Sequence, residues 1–322
     1  MGYLFRRLAH GLLVLAGVSA LSFTFLALAP GDFLNEMRLD PGISPEMVAA
    51  LRNRYGLDQP LALQYVHWLQ SVLRGELGFS FAYNSPVAPL LWPRALNTLL
   101  LTVPATVAAW LIAVPFGAWS ASRRGRWGDR VGAGATTVLL AVPEVLLALV
   151  LLLVAVRTGY FPIGGMRSAA FAELGLWDRM KDFSLHLFLP ASALILLTLP
   201  VLVRHVRASL IDVLAAPFIQ AARARGVPPR RLLYRDALRA AANPLISLLG
   251  LSIAGLLSTS LVVEAVMGWP GLGPLMLEAI AARDLYLVIG AVMCSTLFLL
   301  AGNLIADALL YLADPRIRGD RI

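Results

Sequence analysis

Residues 287–312 read LVIGAVMCSTLFLLAGNLIADALLYL, an apolar run with one charge, Asp307, placed one helical turn after Asn303. A hydrocarbon core of about 30 Å takes roughly 20 helical residues to cross, so this run is long enough to span a bilayer. Five runs of the same character precede it, at Leu8–Ala29, Ala95–Ser120, Val131–Val156, Leu185–Val203 and Leu245–Val266. Backbone groups in lipid have no water to bond, so each run must be helical, and the alternation of a membrane β-strand is absent. These runs predict an all-α polytopic membrane protein with six transmembrane helices.

Composition agrees. The 322 residues are 59% hydrophobic and 14% charged, with a mean hydropathy of +0.75, whereas a soluble domain carries roughly 25% charged residues. A soluble enzyme and a disordered chain are excluded. A disulfide scaffold fails too, because Cys294 is the one cysteine. The first run follows Arg6 and Arg7 like a signal peptide, but it is longer than an h-region and Pro30 would follow the cut, so a retained anchor is expected.

The net charge of +8 comes from 26 arginines and Lys181 against 19 acids. Such a basic chain could suggest nucleic acid, but in so apolar a sequence the arginines read as cytoplasmic loop residues, and no nucleic-acid partner is expected. With the N-terminus inside, the inner segments hold 17 basic residues against five acids, and the outer segments 10 against 11. That asymmetry predicts both termini in the cytoplasm.

The expected segments are 1–29, an N-terminus and first helix; 30–94, an external helical cap; 95–312, a core of five helices; and 313–322, a cytoplasmic tail. Within the cap, Ser44-Pro45 reads as an N-cap followed by proline at the first helical position. A second helix after Pro60 carries Tyr65, Trp68, Leu69 and Leu73 on one stripe. The inner connection 204–243 alternates eight arginines with Leu210, Ile211, Leu214, Phe218, Ile219, Leu232, Leu233 and Leu238. That spacing fits two short amphipathic helices broken at Gly226-Val227-Pro228-Pro229. Such a loop could lie on anionic lipid or dock a protein, and the glycine break suits docking.

Catalytic chemistry is missing. No glycine-rich phosphate loop precedes a lysine. His10, His67, His186, His205 and Cys294 have no ligand spacing, so neither a metal nor a cofactor is expected, and the chain is not read as an enzyme. Glu144 sits halfway along the third run, just after Pro143. It either lines a water-filled translocation path or partners a hydroxyl or backbone group freed by the proline. A self-sufficient secondary transporter is the alternative function, and it would show broken helices in two halves and more midplane charge.

Several blocks resemble the permease subunits of bacterial ABC importers of the dipeptide, oligopeptide and nickel branch. They include Pro30-Gly31-Asp32, Leu51-Arg52-x-x-Tyr55-Gly56-Leu57-Asp58-Gln59-Pro60, Gly75-Glu76-Leu77-Gly78, Arg207-Ala208-Ser209-Leu210, Trp269-Pro270-Gly271-Leu272-Gly273, Ala282-Arg283-Asp284 and Asp314-Pro315-Arg316-Ile317-Arg318. The resemblance covers nearly the whole chain. It implies the type I ABC importer permease fold and a place in the cell inner membrane. The implied partners are a second homologous permease, two cytoplasmic ATPase subunits that hydrolyse ATP, and an external binding protein that imposes selectivity. The cargo could be peptide, nickel chelate or sugar oligomer.

The resemblance also makes 204–243 the coupling loop, with Leu214, Phe218, Gln220, Ala221, Ala222, Arg223, Arg225 and Gly226 as ATPase-docking residues. Where such permeases carry Glu-Ala-Ala, this chain has Gln220-Ala221-Ala222, which removes the carboxylate a docking ion pair there would use.

Overall fold

The computed structural model describes residues 2–28, 33, 37, 44–54 and 56–313. Pro30-Gly31-Asp32, Tyr55 and the tail from Asp314 lie outside these. The described chain is helical, with one two-stranded hairpin. It divides into two compact units, one built from 1–98 and 270–298, the other from 99–269 and 299–322.

The first unit contains α1 (Gly2–Leu28), α2 (Pro45–Arg54), α3 (Leu61–Leu73), strands β1 (Phe79–Ser80) and β2 (Ser85–Pro86), the start of α4 (Val87–Ser122), α12 (Leu272–Ala281) and the start of α13 (Leu285–Ala313). The α2 cap is as expected: Pro45 opens the helix and the Met47 N–H donates to Ser44 Oγ at 3.2 Å. The α3 stripe is only half used. Trp68 is buried and its ring lies 6.2 Å from Phe23 of α1, which also meets Tyr65 edge-on at 5.6 Å, while Leu69 and Leu73 are exposed. Two aromatic rings meet α1 at Phe23, and the two leucines stay exposed.

The hairpin is held by one carboxylate. Buried Asp284 accepts from Ser80 Oγ at 2.6 Å, from the Ala82 N–H at 3.1 Å and from the Leu287 N–H at 3.3 Å. It thus caps α13 and anchors β1 with the same side chain.

The second unit contains the rest of α4 and α13, with α5 (Trp127–Ala141), α6 (Glu144–Thr158), α7 (Leu176–Leu214), α8 (Pro217–Ala224), α9 (Pro229–Arg231), a π-helical turn (Leu232–Ala237), α10 (Leu238–Ala240) and α11 (Ala242–Val266). Its largest core gathers Leu101, Leu194, Leu256 and Trp269. A second core lies under α8. Helices α11 and α13 approach so closely that a Cβ on Gly302 would lie 2.5 Å from Ile253, the small-residue contact that lets membrane helices pack on their backbones.

Each expected run falls on helix, but not as six straight spans. Among the described residues α4, α7, α11 and α13 are long and apolar enough to cross a bilayer, and the apolar part of α1, Ala9–Phe25, is shorter. The third run is broken. Helices α5 and α6 meet at 100°, a broken span or a re-entrant loop, because Pro143 has no N–H to continue the ladder and forces Val142 to extended backbone, φ −82° and ψ 122°.

The connection 204–243 also differs from expectation. Arg204–Leu214 continues α7 unbroken past two internal prolines, Pro190 and Pro200. Leu210, Ile211 and Leu214 therefore belong to the long helix, and the separate short helices begin at Pro217 and Pro229.

Candidate functional site: the arginine-rich loop and the Glu144 cavity

Helix α8 is two-faced. Ile219 is fully buried among Val206, Leu210, Leu232, Leu233 and Ala237, and Ala222, Leu214 and Val227 pack around them. Phe218, Gln220, Ala221, Arg223, Arg225 and Gly226 are exposed. Pro217 opens the helix, where its missing N–H costs nothing. Gln220 Nε2 donates to Leu214 O at 3.0 Å, satisfying a carbonyl at the end of α7.

The helix ends in a Schellman motif. The Gly226 N–H bonds Arg223 O at 3.0 Å and the Val227 N–H bonds Ala222 O at 3.2 Å, with Gly226 at φ +79°. A Cβ at Gly226 would meet nothing within 4 Å, so its requirement for glycine is conformational alone. A groove of about 340 Å³ runs between this loop and Ala121, Ser122 and Arg124. The eight candidate docking residues thus lie at the end of α7, along α8 and in its C-terminal turn, all exposed except Leu214 and Ala222, which are half-buried.

Beside this loop lies a clamp the residue pattern did not reveal. Arg207 Nε and Nη2 donate to Asp129 Oδ1 and Oδ2 at 2.6 and 2.7 Å. Ser120 Oγ donates to Oδ1 at 2.5 Å and the Gly125 N–H to Oδ2 at 2.8 Å. Both partners lie beyond the apolar stretches 131–156 and 185–203. The Arg207 hydrogen bonds hold the Asp129 carboxyl well below the usual carboxylate range; burial opposes this, and Ser120 and Gly125 reinforce it. Asp129 stands alone among four arginines between 123 and 130, a signal that it has a specific partner.

Glu144 is not midway along a helix. It occupies the first turn of α6 at the Pro143 corner, where a carboxylate complements the helix dipole. Its side chain is exposed and its Oε1 accepts from Thr259 Oγ1 at 3.2 Å. The two face a cavity of about 490 Å³ with Thr198, His205, Ser252 and a leucine wall that includes Leu139, Leu197 and Leu251. Ser252, Gly255 and Thr259 recur on one face of α11, a small-residue pattern that could have flagged this lining from the residues alone.

Comparison with known proteins assigns the chain. Residues 113–319 match the family "Binding-protein-dependent transport system inner membrane component", and residues 1–102 match its N-terminal companion. The chain is 36% identical over 317 residues to the oligopeptide transport system permease protein AppB of Bacillus subtilis (strain 168), covering 98% of both. It is 31% identical to the dipeptide transport system permease protein DppB of Escherichia coli (strain K12), again covering 98% of both. It is 32% identical to the glutathione transport system permease protein GsiC of Salmonella choleraesuis (strain SC-B67), covering 99% of both.

In fold, 68% of this chain superposes on 96% of a chain of the MetNI methionine ABC transporter in an inward-facing form, with a TM-score of 0.52 at 20% identity. The apolar helices and the family agree on a multi-pass inner-membrane transport component that is not itself an enzyme. The chain belongs to the inner membrane components of binding-protein-dependent transport systems.

Proposed function

We propose that this chain forms half of the translocation pathway of an ATP-driven peptide importer, paired with a second, homologous permease in a heterodimer. Two cytoplasmic ATPase subunits dock on the loop 204–243, and an external binding protein delivers the cargo. The relatives named for oligopeptide, dipeptide and glutathione transport support peptides as the substrate class. The distribution of arginines supports both termini in the cytoplasm.

The observation that carries the docking assignment is the two-faced α8. Its buried Ile219 seats it on the core, its Schellman turn fixes its end, and its exposed Phe218, Arg223 and Arg225 are left for a partner. An aromatic ring beside two planar guanidinium forks is the chemistry that anchors on a carboxylate-lined groove. Glu144 is assigned to the translocation path.

The test is reconstitution of the chain with its co-encoded subunits and binding protein in liposomes, reading ATP-dependent uptake of labelled trialanine. Uptake by the complete assembly, with no ATP hydrolysis by this chain alone, is the expected result. Peptide uptake by this chain alone, driven by an ion gradient, would replace this reading with a secondary transporter.

A further inference from the structure

We propose that the cavity at the α5–α6 corner is a cation-selecting station that takes the free α-ammonium end of a solute onto Glu144, with the leucine wall receiving the solute's apolar part. The proposal rests on the pathway reading above and adds to it the chemical group that the membrane part recognises.

The first argument is one of solvent. Glu144 lies inside the apolar run 131–156, yet its side chain is exposed on the chain. A carboxylate facing hydrocarbon is costly, and intramembrane acids therefore face water-filled cavities or partners. The Pro143 corner turns Glu144 toward such a cavity, and at about 490 Å³ it is in the usual size range for small-molecule sites.

The second argument is one of charge. No arginine or lysine lines the cavity among the described residues. Thr259 is the hydrogen-bonding partner of Glu144 among the described residues. A hydroxyl fixes the orientation of a carboxylate but brings no counter-charge. This chain brings no arginine or lysine to the site, and the proposal gives the role of counter-charge to the solute.

The remaining polar atoms are suited to an ammonium donor. The Thr198 hydroxyl donates to Leu194 O at 2.7 Å, which leaves its oxygen as an acceptor. Ser252 Oγ is already engaged, donating to Leu249 O at 2.8 Å and accepting from Trp110 Nε1 at 3.0 Å. His205 Nδ1 lies 2.9 Å from Val201 O and so is the donor there, and in the neutral ring Nε2 is left as an acceptor. A group with three N–H donors matches this set, and a carboxylate end does not.

The test uses the importer assembled with its co-encoded subunits in lipid nanodiscs. Cys294→Ala removes the native thiol and Thr198→Cys places a reporter in the cavity. Modification rates are measured with 2-aminoethyl and 2-sulfonatoethyl methanethiosulfonate, with Glu144 intact and with Glu144→Gln. One screened charge a few ångströms away should change each rate about threefold in opposite directions, so Glu144→Gln should lower the cationic-to-anionic ratio by about tenfold. Trialanine should slow modification, and N-acetyl-trialanine should not.

Equal ratios in the two backgrounds, a thiol that neither reagent reaches, or equal effects of the two peptides would each overturn the proposal. Failure of the parent reading looks different. An assembly that moves no trialanine would refute the peptide importer, whatever the thiol reports.

Discussion

Replacing Arg207 with methionine should expose how much of the second unit depends on one carboxylate. In the native chain Asp129 is 3% exposed and accepts four hydrogen bonds, two of them from Arg207. Arg207→Met keeps most of the side-chain volume and removes both charge-assisted bonds, leaving a buried charge with Ser120 and Gly125 alone. Breaking a buried pair from one side costs about 3–5 kcal/mol. The Arg207 side chain is 30% exposed, so water recovers part of this and about 2–3 kcal/mol is expected.

Adding Asp129→Leu removes the orphaned charge, so the double variant should be more stable than Arg207→Met alone, with a coupling of at least about 1.5 kcal/mol. The assay is thermal unfolding in nanodiscs, followed by tryptophan fluorescence for both single variants and the double. Additive losses, or an Arg207→Met loss below about 1 kcal/mol, would refute the clamp. The pH dependence has a definite sign. The folded carboxyl is depressed, so its contribution is complete above the unfolded carboxylate range near 4 and fades as pH falls toward the lower folded value. The gap between native and Arg207→Met should be flat through neutrality and narrow only in acid.

Gly226→Val should leave membrane insertion intact but strain the left-handed turn by about 1–2 kcal/mol, since the space is open and only the backbone objects. Co-purification of the ATPase subunits and the ratio of uptake to hydrolysis should both fall, and normal values for both would exclude this loop as the coupling element. Asp284→Ala should release the hairpin by removing the acceptor for Ser80 and Ala82, at a cost of about 1–3 kcal/mol. Chymotrypsin should then cut more quickly at Phe79, Phe81 or Tyr83, and unchanged cleavage would show that the strands hold without it.

The fold was legible wherever one physical preference acts alone. Hydropathy located six runs that fall on helix, though it gave no sign of the short α12, serine before proline located the start of α2, and Gly226 marked a left-handed turn. It was less legible where two preferences compete. Averaged hydropathy runs smoothly across Val131–Val156, because Pro143 is one residue among apolar neighbours, yet its missing N–H turns the chain through 100°. Arg204 marks the end of apolar sequence but not of α7, because a helix needs continuous hydrogen bonds and not continuous hydrophobicity. The α3 stripe overstated burial for the same kind of reason: periodicity gives a face, and only the aromatic half of that face met a partner. The Asp129–Arg207 pair joins residues 78 positions apart, and single-sequence periodicity does not reach that far.

The continuity of α7 bears directly on how docking on α8 could move the membrane part. The apolar stretch 185–203 covers about 28 Å of helix, and Arg204–Leu214 extends the same rod by about 16 Å. Only Ala215 and Ala216 separate this extension from α8, and the Ala215 and Ala216 N–H groups bond Ile211 O and Val213 O at 3.1 and 3.0 Å, which leaves little slack in the link. Three fixings then act on the joint: Ile219 in the core, Gln220 on Leu214 O, and the Arg207 fork on Asp129. If an ATPase docks on α8 as proposed, a displacement of α8 would be transmitted as rotation or tilt of α7 about the Asp129 contact, because a packed joint resists deformation. The prolines at 190 and 200 lie further along that rod, within its apolar stretch, where a missing backbone hydrogen bond makes bending cheapest. Stiff at its α8 end and compliant within its apolar stretch, α7 has the mechanical profile that the proposed coupling would require.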